Sequence, residues 1–315
     1  MSLTVGNGES RLRMRAGVSY GRLLGAFARH VGRDAADLSL ERGRSVVALD
    51  EIAAADETLF VRERLPAYVI VLRRDARRVE HVQRRILPLV SSAKTIDAVD
   101  GADAPALVSA LRRNDVRLSP DYARTATVGQ LGCACSHIDV WRRVADALGP
   151  TVVLEDDASP VDDFATKLEN LLLEARDLEW DWIYLFYHPD CHRHLPIPDK
   201  SQVQRAFQTW GTVAYVLAPR GATVLLREAR DAAHDGPIDH LVMRLARDGA
   251  LRTLCATHIL AATSGQLNPL HPPHLTPLGS NVWGTPTLLD QQQQKRPKMS
   301  SHLHGAQPAA ADARA

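Results

Sequence analysis

The sequence predicts an α/β fold in which short strands and helices alternate along the chain. Strand-like runs recur at residues 68–72, 96–99, 151–154 and 182–186, with helical segments between them. Largely apolar runs are typical of parallel strands covered on both faces, and their alternation with helices indicates crossover connections. We therefore expect an α/β sheet with crossover helices, preceded by a small separate unit at residues 1–65.

Composition and charge describe an ordinary globular protein. The chain has 315 residues, of which 45% are hydrophobic and 24% are charged, as in typical soluble domains. A net charge of +1 produces no strong positive field, so we expect neither nucleic acid nor an anionic membrane as the main partner. No stretch approaches the roughly 18 consecutive apolar residues of a membrane span, so no transmembrane segment is predicted.

Cysteine usage and the N-terminal sequence bear on the cellular compartment. Arg11, Arg13 and Arg15 have no apolar block behind them, which argues against a secretory signal peptide. The 4 cysteines of this chain do not make a disulfide framework. Both observations favour a reducing compartment, and the cytoplasm is the expected location.

Residues 1–65 have the pattern of a small β-rich unit. Asn7-Gly8 is a hairpin turn signal, and Leu12 lies in an alternating stretch typical of a half-buried strand. Ser19 is placed to cap a helix, and residues 58–61 predict a closing strand. The segments LRMRAGVSYGRLLGAFARHVGRDAADLSL and DETLFVRE resemble the β-grasp fold of ubiquitin-like domains. That resemblance implies a spacer role or docking to a protein partner.

Composition also sets the other domain boundaries. Residues 66–270 contain the α/β pattern and form the predicted main domain. From His271 onward, repeated prolines and the run Gln291 to Gln294 replace the apolar residues that a core requires. Residues 271–315 are therefore predicted to be a disordered, Pro/Gln-rich tail.

Three consecutive carboxylates, Glu155, Asp156 and Asp157, directly follow the strand at 151–154. Charges beside a core are costly unless they are paired or bind a metal, and carboxylates at the end of a strand suit Mg²⁺ or Mn²⁺. Strand alternation would place Glu155 and Asp157 on one side. We expect Asp157 to be a ligand, with Glu155 or Asp156 as its companion. The alternative is a solvated strand end that caps the next helix.

Two further segments carry residue types that bind phosphate or sugar. Arg74 and Arg77 belong to an arginine cluster after the first strand, and arginine forks match phosphate oxygens; a solvated helix face is the alternative. Residues 129–137 are a glycine-rich entry to a helix, where free N–H groups suit a phosphate or a sugar hydroxyl. His137 lies in this segment and is a candidate site residue, with packing inside the helix as the alternative.

Four segments in this order resemble glycosyltransferase family 25. They are the strand at 68–72, the sequence DAVDG at 97–101, the sequence GQLGCACSH at 129–137, and the acid cluster at 155–157. The resemblance covers about residues 67–267. The family includes bacterial lipooligosaccharide galactosyltransferases and collagen hydroxylysine galactosyltransferases, so lipopolysaccharide biosynthesis is one expected process.

The resemblance implies a GT-A-like sheet that binds a nucleotide sugar. The expected reaction is the metal-dependent, inverting transfer of galactose or glucose from a UDP-sugar to a glycan or a hydroxylated acceptor. A cation such as Mn²⁺ or Mg²⁺ would neutralise the departing diphosphate, with Glu155 and Asp156 also facing the donor. Asp97 and Asp100 are expected to border the nucleotide.

Asp239 and His137 are the candidate catalytic residues under this resemblance. An inverting transfer needs a carboxylate that takes the proton of the acceptor hydroxyl, and Asp239 follows Pro237 in a segment that also fits the family. The alternative for Asp239 is a capping role at the start of the next helix.

Two substitutions support a second hypothesis. Val71 stands where the family usually has asparagine, and Gln130 replaces a usual glutamate. The chain would then be a catalytically inactive, glycosyltransferase-like protein that binds a partner through its ubiquitin-like unit. A nucleotidyltransferase of similar fold is a third hypothesis, which the segments at 97–101 and 129–137 disfavour.

Overall fold

The computed structural model describes most of the predicted main domain and parts of the N-terminal unit. The described ranges are 2–6, 9–13, 28, 38–42, 45–46, 58–63, 65–188 and 192–263. The predicted tail at 271–315 lies outside the described residues, and so does Ser19, the expected cap of the N-terminal helix.

Among the described N-terminal residues, five short strands form an antiparallel sheet. They are β1 (Ser2–Gly6), β2 (Glu9–Arg13), β3 (Leu38–Arg42), β4 (Ser45–Val46) and β5 (Thr58–Glu63). Their order is β1-β2-β5-β3-β4. The β-grasp resemblance also requires a helix between β2 and β3, where only Ala28 is described, so that assignment stays a prediction.

The strands of the main domain confirm the predicted α/β class. They are β6 (Ala67–Val71), β7 (Ala93–Asp97), β8 (Thr151–Glu155), β9 (Ala158–Pro160), β10 (Trp182–Tyr184), β11 (His192–Pro196), β12 (Val203–Thr209), β13 (Ala214–Leu217), β14 (Thr253–Ala256) and β15 (Ala261–Thr263). The large sheet has the order β11-β12-β14-β10-β13-β8-β6-β7, and β9 pairs with β15 separately. β6 is parallel to β7 and β8, whereas β13 is antiparallel to β8 and β10.

Helices cover both faces of the large sheet. They are α1 (Ala76–His81), which continues as a π-helical turn over Val82–Ile86, then α2 (Ala104–Arg113), α3 (Pro120–Thr125), α4 (Val128–Ala145), α5 (Phe164–Ala175), α6 (Pro219–Asp231) and α7 (Ile238–Arg247). Within the described ranges, no helix combines the length and apolar character that crossing a bilayer requires.

Strand alternation divides the interior into two apolar cores. Val69 and Val71 of β6 face one core together with Val82, which follows α1, whereas Ile70 faces the other core with Ile138 of α4. The chain leaves β6 for β7 on one side and returns through α2, α3 and α4 to β8 on the other side. Such a reversal creates a crevice at the carboxyl ends of the strands, here between β6 and β8.

Candidate active site

The acid cluster begins at the last residue of β8 and continues into a turn. Glu155 closes the strand, and Asp156 and Asp157 lie beyond it. Because β8 ends at Glu155, the alternation expected for Asp157 does not extend to it. Asp156 and Asp157 instead both contact the guanidinium of Arg78. The turn after β8, and not strand alternation, therefore decides which groups these acids meet.

Arg78 is the positive charge of this site, and it was not among the site residues predicted from the sequence. It is buried, with 5% relative exposure, and it pairs with Asp156 and, at 3.5 Å, with Oδ2 of Asp157. Burial lowers the pKa of Arg78, but the two acids outweigh burial and the pKa is raised. Helical periodicity in the sequence could have indicated that Arg78 is buried, because it lies four residues before the apolar Val82 and so on the same helical face.

Asp156 and Asp157 differ in how many of their carboxylate oxygens accept hydrogen bonds from the protein. In Asp156, Oδ2 accepts a hydrogen bond from the Leu72 N–H at 2.7 Å and Oδ1 accepts one from Arg78. In Asp157, Oδ1 is buried and has no hydrogen-bond partner among the described residues. Burial and the neighbouring charge of Glu155 raise the pKa of Asp157 to about 7. Arg78 contacts Oδ2 of Asp157 and leaves Oδ1 without a hydrogen-bond partner among the described residues. Hard divalent cations take oxygen ligands of this kind, so the site fits a divalent cation.

Glu155 is held by donors from two other elements. His137 Nε2 lies 3.2 Å from Glu155 Oε1, and the Thr212 hydroxyl donates to the same oxygen at 2.6 Å. The other nitrogen of His137, Nδ1, lies 2.9 Å from the Tyr215 hydroxyl. Burial raises the pKa of Glu155, but the hydrogen bonds from His137 and Thr212 and the charge of Arg78 leave it below its ordinary value. Glu155 is therefore ionised at neutral pH.

The segments DAVDG and GQLGCACSH are in direct contact. A Cβ on Gly132 would lie 2.5 Å from the Val99 carbonyl oxygen and 3.0 Å from the Gly101 nitrogen. Ser136 holds the same loop, since its Oγ accepts from the Val99 N–H at 2.8 Å and donates to the Gly132 carbonyl at 2.7 Å. The two segments therefore form one unit, in which Ser136 supports the loop and His137 faces the acids.

The start of α4 is satisfied by its own residues. The Gln130 N–H donates to the Thr127 hydroxyl, and the Gln130 side chain accepts from the Thr127 N–H, which is a complete capping box. Gly129 and His137 both lie inside α4, so residues 129–137 form the first turns of a helix, as the sequence predicted. Glutamine and glutamate both serve this capping role.

An open cleft of about 580 Å³ lies at the carboxyl ends of β6 and β8. Its lining includes Arg74, Asp100, His137, Glu155 and Asp156. Nε of Arg74 lies 2.7 Å from Oδ2 of Asp100. The cleft therefore contains five of the predicted site residues. They are the arginine Arg74, the histidine His137 and the carboxylates of Asp100, Glu155 and Asp156.

Four predicted residues do not line this cleft: Arg77, Asp97, Asp157 and Asp239. Asp97 is exposed and pairs with Arg73, and Arg77 is exposed at the start of α1. Asp157 is absent from the lining but shares Arg78 with Asp156, which is present. Asp97 lies on the outermost strand of the large sheet, which explains why it points to solvent.

Asp239 lies in the first turn of α7 and is also outside the lining of the cleft. Burial raises its pKa, and the charge of Glu155 raises it further, while His240 and the backbone N–H groups at the helix start oppose this. Asp239 is therefore near enough to Glu155 for the charge of that residue to affect its pKa. The N-cap of α7 is Pro237, so the alternative in which Asp239 caps this helix is wrong; Asp239 lies inside the first turn.

Cys133, His137 and Glu155 form a second group with metal-ligand atoms, which lie within 4.8 Å of one another. Burial raises the pKa of the Cys133 thiol well above its ordinary value, whereas a metal ligand must be a thiolate. Both nitrogens of His137 already have partners, namely Tyr215 and Glu155. Carboxylates are therefore the better-suited ligands at this site.

Comparison with known proteins agrees with the motif resemblance. Residues 64–242 match the family described as "Glycosyltransferase family 25 (LPS biosynthesis protein)". The chain is 34% identical over 170 residues to "Probable inactive glycosyltransferase 25 family member 3" of Bos taurus, covering 50% of this chain and 28% of that protein. It is 33% identical over 171 residues to "Procollagen galactosyltransferase 1" of Danio rerio, covering 50% and 27%.

A third relative is "Procollagen galactosyltransferase 2" of Homo sapiens, at 28% identity over 173 residues, covering 50% of this chain and 27% of that protein. The chain thus spans less than a third of the length of these relatives. Because the family match covers more than half of the chain, this protein belongs to glycosyltransferase family 25.

Proposed function

We propose that this protein transfers a hexose from a UDP-sugar to a hydroxyl group of a glycan or a hydroxylated side chain, with Mn²⁺ or Mg²⁺. The observation that carries the proposal is the acid cluster at the carboxyl end of β8, beside a cleft whose lining includes Arg74 and Arg78. Two relatives named procollagen galactosyltransferases support galactose as the donor sugar.

Glu155 and Asp157 are the proposed metal ligands. Asp156 already uses both oxygens, for Arg78 and for the Leu72 N–H, so it is better suited to position Arg78. Asp157 keeps a buried oxygen without a hydrogen-bond partner among the described residues. When bound, the cation supplies Lewis-acid neutralisation of the departing diphosphate.

Arg74 is the proposed phosphate contact of this chain. Its side chain is about half exposed and its partner is the carboxylate of Asp100, so a donor phosphate can replace a single exposed ion pair, which is worth little. The loop that ends at Gly101 lies against α4 and borders the same cleft. Asp100 and this loop therefore form the proposed nucleotide side of the site.

Asp239 is the proposed base for the acceptor hydroxyl. Its raised pKa brings a carboxylate nearer to the value that favours proton transfer at neutral pH. His137 is assigned to the support of Glu155, because both of its nitrogens have protein partners.

The alternative is an inactive member of the family that binds a partner. The name of the Bos taurus relative includes the word inactive, which favours this alternative. The two substitutions that first supported it have structural accounts, however. Val71 is fully buried in an apolar core, and Gln130 completes the capping box of α4.

A donor assay separates the two functions. Purified protein is incubated with UDP-galactose, UDP-glucose and other UDP-sugars with Mn²⁺, and UDP release is followed with and without EDTA. We expect release that depends on the metal and falls to background in Asp157→Asn. Asp163→Asn is the matched control, because Asp163 is exposed and pairs with Lys167, and it should retain activity. Absence of metal-dependent release with every sugar would favour the inactive alternative.

A further inference from the structure

A line of buried side chains leads to Glu155. The indole N–H of Trp141 donates to the Tyr215 hydroxyl oxygen at 3.0 Å. That hydroxyl lies 2.9 Å from Nδ1 of His137, whose Nε2 lies 3.2 Å from Oε1 of Glu155. Trp141, Tyr215 and His137 are each at most 1% exposed. Buried polar groups of this kind are strongly held to the geometry that satisfies them.

The direction of each hydrogen bond follows from what each group can donate. An indole N–H only donates, so the Tyr215 oxygen is an acceptor toward Trp141. The single phenol hydrogen of Tyr215 then needs an acceptor, and among the described residues His137 Nδ1 is the atom within reach. A neutral imidazole that accepts at Nδ1 carries its proton at Nε2. His137 therefore donates that proton to Glu155 Oε1.

Two donors converge on the same oxygen of Glu155. His137 Nε2 and the Thr212 hydroxyl both meet Oε1, at 3.2 and 2.6 Å. Oε2 accepts no hydrogen bond from the described residues, while Glu155 lines the cleft. Anchoring one oxygen restricts the rotation of the carboxylate and leaves the other oxygen available.

We propose that Trp141, Tyr215 and His137 are positioning residues that hold Glu155 with Oε1 anchored and Oε2 available for the cation beside the donor diphosphate. This inference rests on the proposed function, because it gives Glu155 a role as ligand. Partners behind a ligand set its orientation and tune its affinity for the metal. Tyr215 and Trp141 thus act through His137 and do not contact the substrate themselves.

The hydroxyl of Tyr215 can be removed with little change in packing. Tyr215 is stacked on Trp182 with ring centroids 3.7 Å apart and an interplanar angle of 12°, and phenylalanine keeps this stack. Tyr184 offers a matched control. It is also buried, and its hydroxyl donates to the Thr209 carbonyl at 3.2 Å, outside the line to Glu155. Tyr184→Phe therefore makes the same chemical change without touching the hydrogen bonds that lead to Glu155.

The first test measures the tautomer of His137 in the wild-type protein without metal or donor. Protein with ¹⁵N-labelled histidine is examined by long-range ¹H–¹⁵N correlation, and His137 is assigned from the signal lost in His137→Gln. We expect a neutral ring protonated at Nε2, and loss of that single form in Tyr215→Phe but not in Tyr184→Phe. A proton at Nδ1, an imidazolium, or an unchanged signal in Tyr215→Phe would overturn the proposal.

The second test measures Mn²⁺ affinity in the presence of UDP by electron paramagnetic resonance of the free ion. Tyr215→Phe should weaken binding about tenfold, whereas Tyr184→Phe should bind as the wild type does. Wild-type affinity in Tyr215→Phe, together with lost binding in Asp157→Asn, would overturn the positioning role and leave the proposed function intact. If the wild type binds no Mn²⁺, the metal part of the proposed function fails. The tautomer measurement still tests the hydrogen bonds that join Tyr215, His137 and Glu155.

Discussion

Arg78 gives the three neighbouring acids three different environments. It pairs with Asp156, whose second oxygen accepts the Leu72 N–H, and it reaches one oxygen of Asp157 at 3.5 Å. Glu155 is held through one oxygen by donors from α4 and from the loop before β13. Asp157 is the acid left with a buried oxygen that has no hydrogen-bond partner among the described residues. It is thus the acid that most needs a cation.

The pH dependence of stability should reveal this environment in the metal-free protein. The folded-state pKa of Asp157 is raised to about 7, above the value of about 3.9 in an unfolded chain, so the folded state holds the proton more tightly. Its stabilising contribution is full below about pH 4 and is lost as the pH rises through about 7. Asp157→Asn should remove this loss.

Urea denaturation in EDTA at pH 5 and pH 8 measures the effect. We expect the free energy of unfolding of the wild type to fall between pH 5 and pH 8 by roughly 2–4 kcal/mol more than that of Asp157→Asn. Asp163→Asn, which alters an exposed acid, should follow the wild type at both. If the free energies of unfolding of Asp157→Asn and the wild type change equally with pH, the pKa of Asp157 is not raised in the folded protein.

At the scale of elements, the contact between α4 and the loop after β7 explains why their two motifs occur together. The loop approaches the helix at Gly132, where the nearest atoms are backbone atoms of Val99 and Gly101. Ser136 completes the contact with its hydrogen bond to the Val99 N–H. A side chain at Gly132 would push the loop away from the cleft that it borders.

Substitution of Gly132 by alanine tests this contact. A Cβ there would lie 2.5 Å from the Val99 carbonyl oxygen, so the loop must move, and we expect a loss of about 1–3 kcal/mol in free energy of unfolding together with weaker UDP binding. Gly149→Ala is the control, because no heavy atom lies within 4 Å of a Cβ at Gly149. Its effect should stay within about 0.5 kcal/mol. Chemical denaturation and UDP titration of both variants provide the measurement.

At the scale of the whole molecule, the mixed sheet gathers residues from distant parts of the chain at one edge. The carboxyl ends of β6 and β8 meet there, with Ile70 paired to Glu155, and β13 begins beside them. Helices on both faces hold these strands through two separate apolar cores. A ligand at this edge contacts several elements at once, so its binding should stabilise the entire domain.

Thermal unfolding should therefore respond to donor and metal together. A ligand present at about 100 times its Kd stabilises the folded state by about 2.7 kcal/mol, which corresponds to a rise in Tm of about 5–10 °C for a domain of this size. We expect UDP with Mn²⁺ to give this rise, and UDP in EDTA or Mn²⁺ alone to give much less. Equal shifts with and without EDTA would contradict a site in which the cation and the diphosphate bind together.

Much of the fold and part of the site were predictable from sequence. The expected strands at 68–72, 151–154 and 182–186 are present within one or two residues of those bounds, because apolar runs and their spacing depend on local chemistry. The acids at 155–157 lie at the end of their strand as predicted, with Glu155 as its last residue. The expected alternation through Asp157 failed because the end of a strand depends on its hydrogen-bonded neighbours.

The sequence by itself determined the α/β class, the position of the acid cluster and the family motifs, because these depend on residues close together in the chain. Only the tertiary structure decided which groups those acids meet. Arg78 and Asp156 are 78 residues apart, and so are His137 and Tyr215. Such pairs are set by the order of strands in the sheet and by the faces of packed helices, which leave no local signal in the sequence.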